Sequence, residues 1–149
     1  MNDLNMHDHT TQLLTVYLGQ QAFGIPTVEI EDVLRPLEMT SVPMAPLYIK
    51  GISNLRGRIV TAVDLRRRFG PECTKGNDSM NVVIESQGEL FSILVDRVGD
   101  VLTLKTEDIE PVPITLSHAW HTMATGVHQL DGEILILLSP ENVIAPKDN

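Results

Sequence analysis

The chain has 149 residues, of which 42% are hydrophobic, so it is long enough to fold by burial as one domain or as two half-domains that share a core. Its formal net charge of −9 excludes nucleic-acid binding as the main role, because such proteins need a field that attracts phosphate. The longest uninterrupted apolar run, Ile134 to Leu138, is far too short for a membrane-spanning helix. The first residues lack a secretory signal and Cys73 is the only cysteine, so we expect a protein of the reducing cytoplasm without direct membrane insertion.

The first predicted element is a β-hairpin. Leu13–Leu18 alternates and is rich in β-forming residues, Gly19–Gln21 supplies a turn, and Ala22–Ile25 continues as the partner strand. Residues 1–12 are predicted to be a flexible tail. Pro26 fits either a short helical turn or a strand edge, so no structure is chosen for the residues that follow it.

The rest of the first half is predicted from turns and caps. We expect an extended stretch at Pro43–Pro46 and a short helix or turn over Leu47–Ile52. The continuous apolar character of Ile59–Val63 predicts a buried strand. Asp64 can then cap a helix over Leu65–Phe69, with Gly70 at its far end.

The second half shows the same order of elements. A hairpin is predicted from Val82–Ile84 and Leu90–Val95, and a buried strand from Ile134–Leu138. Ser139 can cap a helix whose first residue is Pro140. Residues 73–79 form the predicted linker between the halves, and residues 145–149 form a C-terminal tail.

The two halves resemble each other in sequence. Leu14–Leu34 aligns with Val82–Leu102, and Gly51–Ile59 aligns with Gly126–Ile134, which predicts two pseudo-repeats at about 13–70 and 81–144. The change of offset between the two alignments places an insertion of about seven residues within Pro111–Thr125. Glycines recur at equal spacing in the same context, and we expect each to occupy a structural turn that needs positive φ; they are Gly51, Gly57, Gly126 and Gly132. Many short strands, glycine turns and little helix predict an all-β protein, mainly β with short helices.

Motifs for catalysis, cofactor binding or metal binding are weak. There is no phosphate-binding glycine loop and no nucleophile elbow. His118 and His121 share a potential helical face, but a zinc site needs a third ligand at a suitable spacing, so we interpret them as surface or packing residues. Cys73 shows no sign of activation, and His7 and His9 lie in a polar tail. We predict no catalytic residue, no cofactor and no metal.

Charged residues are interpreted mainly as solvated. The adjacent carboxylates Glu31–Asp32 and Glu107–Asp108 fit surface positions or capped turns, and Arg66–Arg68 fits a solvated helix edge or a contact with a partner's acidic patch. Arg56 is different, because Asp131 occupies the equivalent position in the other half. We predict that Arg56 either pairs with a carboxylate, with Asp32 the candidate, or contacts a partner.

The distribution of charge predicts a protein that assembles. Residues 1–75 hold eight acidic and eight basic side chains, whereas residues 76–149 hold twelve acidic and three basic ones. Such a charge asymmetry allows one face of the protein to dock on a partner surface that repels the other face.

Taken together, several segments resemble the CheW family of bacterial chemotaxis coupling proteins. Ile49–Gly57, which reads Ile-Lys-Gly-x-x-Asn-Leu-Arg-Gly, is the most specific of them. The others are Phe23–Ile25, Ile30–Val33, Val63–Arg66, Leu94–Leu102 and Gly126–Leu138. The resemblance covers the chain from about Leu13 to Ile144. It implies two intertwined five-stranded SH3-like β-barrels and a non-enzymatic adaptor that links methyl-accepting chemoreceptor hairpin tips to the regulatory domain of a CheA-like histidine kinase.

The resemblance also implies a receptor-binding groove between the barrels. Its residues would be Ile30, Asp32, Arg56, Ile59, Val82 and Val101. A helical receptor tip would lay its apolar face on the aliphatic positions, while Arg56 and Asp32 fix the register. Because the kinase regulatory domain resembles the family itself, the two would alternate in head-to-tail ring contacts, and the protein alone would be monomeric.

Other functions remain open at this point. Arg35, Pro36, the stretch His118–Met123 and the short C-terminus depart from the family's usual pattern, which would suit an accessory coupling protein of a pilus-motility or second-messenger array. A self-associating scaffold would form oligomers without any partner. A catalytic or small-molecule-binding barrel would use His118, His121 and Asp131 in a deep polar pocket.

Overall fold

The computed structural model describes residues 9–69 and 80–144, which contain ten strands and three short α-helices. In chain order these are β1 Thr10–Leu18, β2 Gln21–Pro26, β3 Ile30–Leu34, β4 Ile49–Leu55, β5 Arg58–Asp64, α1 Leu65–Phe69, β6 Met80–Ser86, β7 Glu89–Val95, β8 Arg97–Lys105, α2 His118–Met123, β9 Ala124–Leu130, β10 Glu133–Leu138 and α3 Pro140–Ile144. Single 3₁₀ turns at Thr27–Glu29 and Thr106–Asp108 follow β2 and β8.

The strands form two five-stranded sheets that exchange hairpins. One sheet has the order β8-β1-β2-β10-β9, and the other has the order β3-β6-β7-β5-β4. In each sheet, a hairpin from one half of the chain lies between strands of the other half. The β1–β2 hairpin lies between β8 and β10, and the β6–β7 hairpin lies between β3 and β5. Each inserted hairpin has one parallel junction with the other half, between β2 and β10 in the first sheet and between β5 and β7 in the second. All other strand pairs are antiparallel, including the junctions of β1 with β8 and of β3 with β6. The predicted class, a mainly-β protein of two intertwined five-stranded units, is confirmed.

One large core serves both sheets. Its members come from β1, β2, β9 and β10 of the first sheet and from β5, β6 and β7 of the second, together with the three helices. Phe23, Phe69 and Trp120 form an aromatic cluster within it, with ring centroids 4.8 to 5.9 Å apart. Half of the chain's six Phe, Trp and Tyr rings meet here, and the sheets cannot separate without exposing this cluster.

Two of the four recurring glycines serve turns, and two do not. Gly57 and Gly132 have φ values of 86° and 77° in the β4–β5 and β9–β10 turns, as predicted. The prediction is wrong for Gly51 and Gly126, which lie inside β4 and β9. A Cβ atom on Gly51 would lie 2.7 Å from the carbonyl oxygen of Thr40, and one on Gly126 would lie 2.6 Å from Cγ2 of Ile109. Glycine is required there because another segment crosses each edge strand closely.

Several predicted boundaries are corrected. Strand β1 begins at Thr10, and residues 10–12 pair with β8, so they are not part of a tail. Pro43–Pro46 is not extended, since Met44 has a φ of +66° in a turn closed by the bond from Ala45 N to Val42 O at 3.3 Å. The residues from Ile49 onward form β4 rather than a helix. Ile59 was expected to be buried but is 65% exposed, because it pairs with Asn54 next to the turn that closes the β4–β5 hairpin.

The predicted helix caps are confirmed. Asp64 Oδ1 accepts a hydrogen bond from Arg66 N at 3.1 Å, and Ser139 Oγ accepts one from Asn142 N at 3.3 Å. Helix α2 lies within the predicted insertion. Residues 1–8, Gly70, Cys73, the proposed linker and residues 145–149 lie outside the described residues, and the two pseudo-repeats remain a prediction.

Candidate functional site

An exposed ion pair joins the two edges of the second sheet. Asp32 lies on edge strand β3, and Arg56 lies in the turn that follows the opposite edge strand, β4. Arg56 Nη1 is 3.3 Å from Asp32 Oδ2, which confirms the carboxylate partner predicted for Arg56. The two edges can meet only if the sheet curls, so the pair marks the closure of the barrel.

Local hydrogen bonds hold both members of the pair in place. Asp32 Oδ1 accepts from Val33 N at 2.8 Å. Arg56 has a φ of +52°, and the turn that it occupies is fixed by a bond from Gly57 N to Asn54 Oδ1 at 3.0 Å. The Arg56 side chain is 72% exposed, so the pair contributes about 1 kcal/mol or less to stability. Its charges are preorganised and accessible, which suits contact with another molecule.

The remaining predicted receptor residues differ in accessibility. Ile59 and Val101 are 65% and 53% exposed, and Ile30 is partly buried against the main core. Val82 is 0% exposed, so its predicted place on a contact surface is wrong. The reason is topological, because β6 lies between β3 and β7 and directs Val82 into the shared core. Val101 lies on β8 in the other sheet, so a partner of this surface would have to touch both sheets.

A second exposed surface was not predicted from the sequence. Val42, Met44 and Leu47 in the β3–β4 loop are 37%, 100% and 81% exposed, and we call these three residues the apolar tip. A sequence signal exists, since three large apolar residues stand among prolines between the strands. Proline-rich turns were interpreted only as backbone features, so the exposure of these side chains was missed.

The apolar tip is firmly anchored. Thr40 and Ile52 exchange two backbone hydrogen bonds of 2.9 Å, and Ile49 N donates to Pro46 O at 2.9 Å. Arg67 Nη1 donates to the carbonyl oxygen of Leu47 at 2.8 Å. Lys50 and Arg67 also line the shallow depression beside the tip. The loop therefore presents an apolar surface with a basic margin in a defined conformation.

The solvated edge predicted for Arg66–Arg68 is wrong for Arg66, which is buried, and holds for Arg67, which is exposed. Arg66 is 4% exposed and donates to Asp64 Oδ1 at 3.4 Å and to Asp96 Oδ1. The other oxygen of Asp96 accepts from Gly19 N at 2.6 Å. Asp96 is the one residue between β7 and β8, where the chain crosses from one sheet to the other. We call Arg66, Asp64 and Asp96 the buried ionic cluster, and it ties both sheets together.

Arg68 is also structural. It donates from Nε to Val143 O at 2.9 Å and from Nη2 to Asn142 O at 3.1 Å, and its guanidinium lies over the Tyr48 ring. Burial lowers the pKa of Arg68. The side chain thus fixes the end of α3 against α1.

The residues considered for catalysis do not form a site in the described chain. His118 and His121 are both exposed on α2, where His121 Nε2 lies 2.8 Å from the carbonyl oxygen of Pro113. Asp131 is exposed in the β9–β10 turn. Within residues 9–69 and 80–144, no group of three or more His, Cys, Asp or Glu side chains is placed to hold a metal ion. No helix in these ranges is long and apolar enough to cross a membrane.

Comparisons with known proteins cover nearly the whole chain. The CheW-like domain matches residues 12–147. The chemotaxis protein CheW of Helicobacter pylori is 27% identical over 139 residues, which is 93% of this chain and 84% of that protein. CheW of Klebsiella aerogenes is 30% identical over 141 residues, which is 92% of this chain and 83% of that protein.

A solved structure shares the fold. It is the scaffolding protein TtCheW from Thermoanaerobacter tengcongensis, which matches with a TM-score of 0.81 at 24% identity and covers 93% of this chain and 95% of its own. Together, the extent of the domain match and the similarity to the Klebsiella protein show that this chain belongs to the CheW-like domain family.

Proposed function

We propose that this protein is a non-enzymatic coupling protein, recruited from the cytoplasm to chemoreceptor arrays, where it links receptor tips to the regulatory domain of a CheA-like histidine kinase. The observation that carries the proposal is the match to CheW-like proteins over residues 12–147. The two exposed surfaces described above support it, because an adaptor needs two places at which different partners can bind.

The receptor side is assigned to the Arg56–Asp32 pair together with two exposed aliphatic residues that the family resemblance also names. A helical receptor tip lays its apolar face on Ile59 and on Val101, which are both more than half exposed. Arg56 and Asp32 then fix the register through charged hydrogen bonds. Ile30 contributes only at the margin, since it is partly buried.

The kinase side is assigned to the apolar tip. Large apolar side chains that are exposed together on a fixed loop are typical of a docking element. The margin of Lys50 and Arg67 favours a partner with an acidic surface. In this chain the acidic surplus lies in the second half, so a partner built on the same plan would offer its own second half in a head-to-tail contact.

A crossed binding experiment tests both assignments. Titration calorimetry is carried out with the isolated kinase regulatory domain and, separately, with a soluble receptor-tip fragment. Arg56→Glu should weaken receptor binding by about tenfold or more and leave kinase binding unchanged, and Leu47→Glu should do the reverse. The matched control, Arg35→Glu, makes the same charge change at an exposed position just beyond β3 and should affect neither.

Two outcomes would contradict the proposal in different ways. If the wild-type protein binds neither partner, the coupling role is refuted. If both partners bind but each variant weakens both of them equally, the role stands and the assignment of separate surfaces is wrong.

A further inference from the structure

Met44, the middle residue of the apolar tip, has an unusual backbone conformation. Met44 has a φ of +66°, in the region that glycine adopts without cost and that other residues rarely occupy. Its side chain is 100% exposed, so no packing contact within the described chain repays that conformation. The turn that Ala45 N closes on Val42 O holds Met44 in this conformation and presents its thioether to solvent within the apolar tip.

Met44 also differs from the other methionines that the structure describes. Met123 is 0% exposed in the core, and Met39 and Met80 are partly buried. The thioether of Met44 is therefore the most accessible of the four to a dissolved oxidant. Met1 and Met6 lie outside the described residues.

The thioether of methionine can be oxidised to a sulfoxide by a peroxide. Its sulfur attacks one oxygen of hydrogen peroxide, and the O–O bond breaks. The sulfur keeps that oxygen as a sulfoxide, and the proton on that oxygen passes to the other oxygen, which leaves as water. The product is polar and chiral, where the starting side chain was flexible and apolar. Methionine sulfoxide reductases reverse the step.

We propose that Met44 is a redox-responsive modification site, at which oxidation by a peroxide weakens docking of the kinase regulatory domain on the apolar tip. This inference rests on the proposed function, and it adds regulation to that surface. The sulfoxide has to be stripped of water before Met44 can be buried against a partner, which opposes association. The fold is unaffected, because Met44 makes no core contact.

Peptide mapping by mass spectrometry tests the site without any partner. The full chain is treated with increasing hydrogen peroxide, and the oxidised fraction of each methionine is followed. Met44 should oxidise at a lower dose than Met39, Met80 and Met123. Equal or slower oxidation of Met44 would overturn the proposal.

Binding to the kinase regulatory domain tests the consequence. Oxidation should weaken wild-type binding by about tenfold, and treatment with the two sulfoxide reductases should restore it. Met44→Leu should bind normally before and after peroxide, Met44→Gln should bind weakly without it, and the control Met39→Leu should remain as sensitive as wild type.

The two proposals fail in separate ways. If untreated wild-type protein does not bind the kinase domain, the proposed function and the docking role fail together. If binding occurs but peroxide does not change it, or changes Met44→Leu equally, only the redox proposal is overturned.

Discussion

Removal of Arg66 should be one of the most damaging single changes in this protein. The Arg66 side chain is 5% exposed, and its partners Asp64 and Asp96 are 6% and 14% exposed. Arg66→Met leaves two buried carboxylates without their shared cation. Breaking a buried ion pair by removing one partner costs about 3–5 kcal/mol, a large fraction of the roughly 5–15 kcal/mol that stabilises a typical domain.

The neighbouring arginine provides the matched control. Arg67 is 47% exposed, and its Nε is 3.6 Å from Asp64 Oδ2. Arg67→Met removes the same charge from the same helix, but solvent already screens it, so the expected cost is about 1 kcal/mol or less. Urea unfolding followed through Trp120, the only tryptophan, measures both variants because this ring packs against Phe23 and Phe69 of the shared core.

A triple variant separates charge from packing. Neutralising the whole cluster as Arg66→Met with Asp64→Asn and Asp96→Asn leaves no unpaired buried charge, since Arg67 is solvated, so it should be less unstable than Arg66→Met alone. The reasoning is refuted if Arg66→Met lowers the free energy of unfolding no more than Arg67→Met does. It is also refuted if the loss in the triple variant equals the sum of the losses from the three single substitutions.

Further predictions concern backbone, core and charge. Gly51→Ala should cost about 1–3 kcal/mol in urea unfolding, because the new Cβ would lie 2.7 Å from a backbone oxygen of Thr40. Gly57→Ala should cost only about 1–2 kcal/mol by the same assay, since its φ is +86° but the space around it is open. Trp120→Ala should cost roughly 3 kcal/mol, measured by circular dichroism. Burial and, secondly, the charge of Glu141 raise the pKa of Glu29, so the native state holds that proton more tightly than the unfolded chain and ionisation opposes folding. Glu29→Gln should therefore raise the urea midpoint at neutral pH, and the gain should disappear as the pH falls into the carboxyl range; a gain that persists in acid would contradict this reasoning.

Local sequence patterns were sufficient to predict the hairpins and the helix caps, because these depend on residues that are close together in the chain. The hairpin at the start of each half follows from alternation and a polar turn, and the helix caps at Asp64 and Ser139 follow from side chains placed directly before a helical segment. Strand β3 was left unassigned, because its five residues are too short to show a period. Its position is set by pairing with β6, which comes from the other half of the chain.

Contacts between distant residues explain most of what was missed. Arg66 looked like part of a solvated run, because Asp96, the carboxylate that helps to bury it, is 30 residues away in sequence. Gly51 looked like a turn, because the crossing of Thr40 is visible only in the folded chain. Val82 was placed on a surface by resemblance, and only the order of strands shows that β6 is central. The Arg56–Asp32 pair was found because reversed charge at equivalent positions is itself a sequence signal.

Strand β4 gives the two candidate surfaces a fixed separation. Leu47 of the apolar tip lies just before the strand, and Arg56 lies just after it. At about 3.3 Å per residue, the seven residues of Ile49–Leu55 place the surfaces about 20 Å apart. Under the proposed function, the receptor helix and the kinase domain would bind at separate places on the protein. Because β4 is held by β5 on one side and by Thr40 on the other, the strand keeps this separation constant.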